Sequence, residues 1–136
     1  MDRRLCLKSV MIAGLAARVA ESPAAAPNAA LHGNVQLHMD LDVDPAHDQE
    51  FLSNFHATFA PMIRKHPGLQ KVRLMRLQAV TTGTRPTGAY RIVLGFHSEE
   101  LWRDWVASSD HQQRAWPAIE RTLRPHGVTA ILYALI

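Results

Sequence analysis

The stretch Val35-Gln36-Leu37-His38-Met39-Asp40-Leu41-Asp42-Val43 decides the fold. Val35, Leu37, Met39, Leu41 and Val43 alternate with Gln36, His38, Asp40 and Asp42, the period-two pattern of a strand with one apolar face. Asp44-Pro45 follows at once, an acidic cap with proline at an early helical position. Phe51, Leu52, Phe55, Phe59, Met62 and Ile63 then recur at spacings of three and four, an amphipathic helical stripe. His66-Pro67-Gly68 stops it.

Beyond that turn the pattern returns to strand over residues 70–80. Val72 and Leu74 fall on one face and Met75, Leu77 and Ala79 on the other, which predicts a bulge or twist near residues 73–75. Residues 81–88 are a loop by composition. A third strand runs over residues 89–97, with Tyr90, Ile92, Leu94 and Phe96 on one face. Ser98-Glu99-Glu100 caps a helix carrying Leu101, Trp102, Trp105 and Val106. Ser108-Ser109-Asp110 opens a further helical segment to about residue 124, interrupted near Pro117. Residues 128–136 are apolar on both faces and predict a buried closing strand.

The order βαββαβ predicts an α+β fold of the ferredoxin-like, split βαβ kind: a four-stranded antiparallel sheet with helices on one face. With 136 residues there is room for this one domain, over residues 34–136, and no second. The last strand sets Ile131, Tyr133 and Leu135 against Ala130, Leu132 and Ala134. An apolar second sheet face is a hazard in a monomer, so a homodimer is expected.

Residues 1–30 read as an address. Arg3 and Arg4 precede the short apolar run Val10-Met11-Ile12-Ala13-Gly14-Leu15-Ala16-Ala17, and a Pro/Ala linker follows. These are the parts of a twin-arginine-like export signal, too short to span a bilayer. The expectation is an exported, periplasmic protein, or a cytoplasmic one if the leader does not function. Cleavage after Ala26 would remove Cys6, the only cysteine, and thiol chemistry with it. The formal charge of +3 gathers largely in this leader, leaving the remainder close to neutral, which argues against a nucleic-acid binder.

The segment Phe96-His97-Ser98-Glu99-Glu100-Leu101-Trp102-Arg103-Asp104-Trp105-Val106-Ala107-Ser108-Ser109-Asp110-His111 resembles the antibiotic biosynthesis monooxygenase (ABM) group of dimeric α/β barrels. The likeness lies in an apolar strand, a Ser-Glu-Glu helix start, a Trp and a Ser-x-x-His turn. His66-Pro67-Gly68-Leu69 is similar to that family's passage from first helix to second strand. The resemblance spans about residues 35–136 and implies a dimeric barrel. It also implies one of three roles: cofactor-independent oxygenation of quinol-like or anthrone-like aromatics, haem degradation, or no assigned activity. Against the haem-degrading branch, the chain keeps Asp104-Trp105 but has Ala115 at the histidine position, and His38 and Asp40 where a first-strand Asn is expected. Fold alone does not decide among these roles.

Several residues could carry chemistry. His38 and Asp40 point away from the helices, into the inter-sheet space of a dimer. An imidazole with a neighbouring carboxylate suits abstraction of a phenolic proton; alternatively that face is simply wet. Arg91, which shares a strand face with Val93 and His97, either steadies a developing anion or pairs with a first-strand aspartate. Trp102, Trp105 and Trp116 are either a stacking wall for a planar ligand or core. His111 either caps a helix start or projects into the cleft as an alternative base. Eight histidines could bind metal, but none are three or four residues apart, so no helix-borne pair exists and no metal is expected. No phosphate loop or nucleophile elbow is present, and no cofactor is implied. The expected partners are a small aromatic or hydrophobic molecule and a second copy of the chain, with no nucleic acid and no membrane span. The leading function is a possible cofactor-independent monooxygenase; the rivals are a binding module for a small hydrophobic molecule and a stress-related structural dimer.

Overall fold

The computed structural model of the chain describes residues 34–136. The leader expected over residues 1–30, with its arginines and Cys6, lies outside the described residues.

Strand β1 (Val35–Val43) buries its odd-numbered residues and leaves the even ones half-exposed, as the alternation predicts. Asp44 then accepts the Ala46 N–H at 2.9 Å and ends the strand in a 3₁₀ turn, Pro45–His47. The helical rod that follows comprises α1 (Asp48–Asn54), a π-helical segment (Phe55–Phe59) and α2 (Ala60–Arg64). Strands β2 (Leu69–Arg76) and β3 (Tyr90–Phe96) come next. Helix α3 (Glu99–Ala107) begins at Ser98, whose hydroxyl accepts the Leu101 N–H. A second π-helical segment (His111–Ala115) continues into α4 (Trp116–Glu120), and strand β4 (Leu123–Ala134) closes the domain. The sheet order is β2-β3-β1-β4, antiparallel throughout. Between helices and sheet lies a core that includes Leu41, Phe51, Phe59, Ile63, Ile92, Phe96, Trp105 and Ile119.

Four sequence expectations are corrected. First, β2 ends at Arg76, short of residue 80, because the chain leaves the ladder after Leu77 N–H meets the Ala89 carbonyl at 2.6 Å. Second, its irregularity lies between Leu69 and Lys71, while residues 71–76 pair evenly with β3; Met75 is simply an apolar side chain on the outward face. Third, Pro117 does not interrupt its helix. Trp116 N–H reaches back five residues to the His111 carbonyl, and this widened turn gives the proline ring room that a regular turn would deny it. The first rod repeats the device, with Ala60 N–H bonded to the Phe55 carbonyl immediately before Pro61. Fourth, β4 starts at Leu123, five residues earlier than residue 128, and it is an edge strand with Ile131 46% and Tyr133 51% exposed. Ile131 and Tyr133 lie on the face that the helices leave uncovered, whereas Leu123 and Leu132 pack against the core.

Candidate functional site

Strand register arranges the helix-free face of the sheet as three rows of four. Met75, Arg91, Asp40 and Thr129 form the first, and Arg73, Val93, His38 and Ile131 the second. Lys71, Gly95, Gln36 and Tyr133 form the third. Directly opposed residues of antiparallel strands share a face, so each row is a line of neighbouring side chains.

In the first row Arg91 grips Asp40 with two hydrogen bonds, Nε to Oδ1 at 2.7 Å and Nη2 to Oδ2 at 3.1 Å. The Asp40 side chain is only 15% exposed, so its charge needs this partner. Donating to Asp40 in turn raises the Arg91 pKa. The loop of residues 77–89 adds cover: Thr87 Oγ1 lies 2.7 Å from Thr129 Oγ1, and Gly88 runs so close to β1 that a Cβ would sit 2.0 Å from the Leu41 carbonyl oxygen. Of the two readings of Arg91, the ion pair with a first-strand aspartate is therefore present.

His38 sits one row on. Its Nε2 is 3.1 Å from Gln36 Oε1, and its ring meets Tyr133 edge-on at 5.1 Å between centroids. With a carbonyl oxygen as acceptor, Nε2 carries the proton and Nδ1 is the basic nitrogen. Partial burial lowers the His38 pKa, Arg91 and Lys71 add to the lowering, and Asp40 opposes it. Gln36 follows from strand parity alone, two residues before His38, and reading the sequence for acids and bases passes over it. Tyr133 becomes a neighbour only through the β1–β4 register. His97 is exposed just past the end of β3, outside the three rows.

His111 and the tryptophans stand on the other side of the sheet. The His111 ring lies 5.1 Å from Trp105 and stacks on Trp116 at 6.3 Å. Burial pushes its pKa down to about 4, so the imidazole is neutral through the physiological range. Trp105 is 2% exposed and packs edge-on against Phe59, a core role. Trp102 and Trp116 are partly buried against the same core. Trp102 Nε1, Trp105 Nε1 and His111 Nδ1 are buried without a hydrogen-bond partner. The structure thus divides the expected site residues into two sets. His38, Asp40 and Arg91 share the open face; His111, Trp102, Trp105 and Trp116 share the helix layer; the sheet stands between them. Among the described residues no group of three or more His, Cys, Asp or Glu is placed to hold a metal ion, and no helix is long and apolar enough to cross a membrane.

No family model and no curated protein matches the sequence. Solved structures do match. A Caulobacter crescentus protein provisionally named as an antibiotic biosynthesis monooxygenase superposes with a TM-score of 0.63 at 18% identity, over 83% of this chain and 99% of its own. A dimeric ferredoxin-like protein of unknown function from Jannaschia sp. gives 0.65 at 13% identity, over 76% and 100%. Hydroxynitrile lyase from Passiflora edulis gives 0.59 at 11%, over 77% and 95%. Such identities establish architecture and leave the reaction open, since the names span different chemistries. The chain has the four-stranded ferredoxin-like fold that is shared by the antibiotic biosynthesis monooxygenase-like structures.

Proposed function

We propose that two copies of the chain associate through their open sheet faces, and that the space they enclose oxygenates a small activated aromatic molecule without a cofactor. The observation that carries this reading is the polar set His38–Gln36 and Asp40–Arg91, built and hydrogen-bonded into a sheet face whose β4 side is apolar. Local breaks in a binary pattern tend to mark sites of function. Association is supported by the exposure of Ile131, Tyr133 and Leu135 along an edge strand, and by the dimeric Jannaschia structure of the same fold.

In the reaction, His38 Nδ1 accepts a proton from an acidified CH₂ or phenolic group. The resulting anion gives its electrons to dioxygen and forms a C–O bond as a peroxide. The imidazolium returns the proton, and the peroxide O–O bond breaks as a carbonyl forms and water leaves. For a ring CH₂, one oxygen atom ends in the carbonyl and the other in water, with all four electrons drawn from the substrate. One observation favours binding without turnover: Arg91 already gives two N–H groups to Asp40, which leaves less of it for a substrate anion.

Oxygen uptake by the purified protein with an anthrone and a panel of quinols tests the reading. Expected are uptake by the parent, its loss in His38→Ala, and a particle of twice 15.2 kDa, less any leader, in both. Thermal shifts by the same compounds without uptake select the binding reading. A monomer showing neither response overturns both. We also propose that residues 1–30 act as an export leader; an intact Met1 on protein recovered from the cytoplasm of the native host would refute it.

A further inference from the structure

Proton abstraction by His38 leaves a negative charge on the substrate, and a cation placed where that charge develops lowers its energy. Arg91 is engaged elsewhere, with two of its N–H groups holding Asp40. Two other cations stand on the same sheet face: Lys71 opposes Gly95, and Arg73 opposes Val93, in the outward rows of β3. Arg73 is exposed, whereas Lys71 is half-buried. Asp40 is the one carboxylate in the three rows, so none in these rows is left for Lys71. Gly95, which stands between Lys71 and Gln36, has no side chain, and a Cβ there would lie 3.2 Å from Lys71 Cβ. The third row is therefore open over β3 between Lys71 and the residue whose Oε1 meets His38 Nε2. The Lys71 charge also reaches His38, where it adds to the pKa lowering caused chiefly by burial and by Arg91. Lys71 and His38 rise from strands two apart, so about 10 Å separates their backbones across the ladder, a gap that one aromatic ring can bridge between base and ammonium.

From this arrangement we propose that Lys71 Nζ binds the oxyanion formed as His38 takes the proton. The substrates it fits are ring ketones whose acidic CH₂ and oxygen lie on opposite edges of one ring, the anthrone pattern, in preference to catechols, whose two oxygens are adjacent. The inference rests on the oxygenation reading and names its substrate class. In the step, the C–H bond breaks and its proton goes to His38 Nδ1. The electron pair enters the ring and places the charge on the oxygen across from it. There the ammonium, a compact point charge with three donors, offsets it. Enclosure between two sheets strengthens the pairing by excluding water.

Anaerobic absorbance titration of the full chain with anthrone tests this apart from oxygen chemistry, because the anthrone anion absorbs in the visible. Expected is ionisation of the bound compound at least about one pH unit below that of the free compound, as a neighbouring cation produces. Lys71→Met should return the midpoint to the free value, a loss of about tenfold in the ionisation constant, with the light-scattering mass unchanged. Lys71→Arg keeps the charge and should retain most of the shift. Should Lys71→Met loosen the edge strand, Lys71→Gln keeps a polar stem and should lose the shift equally. An unchanged midpoint in the neutral variants, no ionisation below the free value in the parent, or a catechol shifted as far as anthrone would each overturn the assignment. Oxygen uptake in air separates this inference from the reading beneath it. Uptake that survives Lys71→Met in full keeps the oxygenase and overturns the role of Lys71; Lys71-dependent ionisation without uptake keeps the anion site and overturns the oxygenase.

Discussion

His111 makes the stability of this domain depend on pH in a way that can be worked out in advance. Its imidazole is enclosed by Trp105 and Trp116, and Nδ1 is buried without a partner. Desolvation lowers its pKa to about 4, against 6.5 in an unfolded chain. Between those values the unfolded chain binds a proton that the folded chain refuses, so stability is complete above about pH 7 and falls as the pH drops toward 4. A displacement of this size corresponds to about 3 kcal/mol at the acid end, of which about 2 kcal/mol is gone by pH 5. Other groups titrate in the same range, so the informative quantity is the difference between the parent and His111→Leu, which cannot titrate. Urea unfolding at pH 7.5, 6 and 5 should give two stability curves that lie close together at pH 7.5 and separate by about 2 kcal/mol at pH 5, with the variant the more stable. The leucine also removes the unpartnered nitrogen, so no large loss is expected at pH 7.5. Parallel curves from pH 7.5 to 5 would refute the reasoning, because a histidine that titrates alike in both states is not enclosed by those tryptophans.

Three further outcomes are expected. Arg91→Met strips both donors from a largely buried Asp40 and should cost about 1–2 kcal/mol in urea unfolding, part of it recovered by adding Asp40→Asn. Full additivity of the two changes would mean that the pair is not formed in solution. Gly88→Ala places a methyl group 2.0 Å from the Leu41 carbonyl oxygen, against the central strand, and should destabilise by about 3 kcal/mol, read as a lower thermal midpoint. Ile131→Asp puts a charge in the middle of the open face beside His38 and should shift the light-scattering mass from dimer to monomer while the far-ultraviolet circular dichroism is kept.

Period and punctuation carried most of the fold. The alternation of Val35 through Val43, the three-and-four spacing of Phe51, Phe55 and Phe59, and the caps at Asp44 and Ser98 are local signals, and each element begins close to where they place it. The sidedness of His38 and Asp40 was equally legible, because parity along a strand is a property of the chain alone. Local signals failed where a distant segment sets the outcome. Pairing of Leu123 with Val43 extends β4 through Pro125 and Gly127, residues that read as a turn by themselves. The proline at 117 is absorbed by a widened helical turn that composition does not announce.

The sequence by itself determined which residues are acids, bases and aromatics, and which strand face each occupies. Only the tertiary structure decided which of them meet. Arg91 and Asp40 are 51 residues apart and become neighbours through the β1–β3 register, while His38 and His111, both plausible bases in one cleft, end on opposite sides of the sheet. Parity assigns a side chain to a face, but the partner across the strand depends on how far one strand slides along the next. That slide is set by the whole core at once, with no short stretch of chain holding the information.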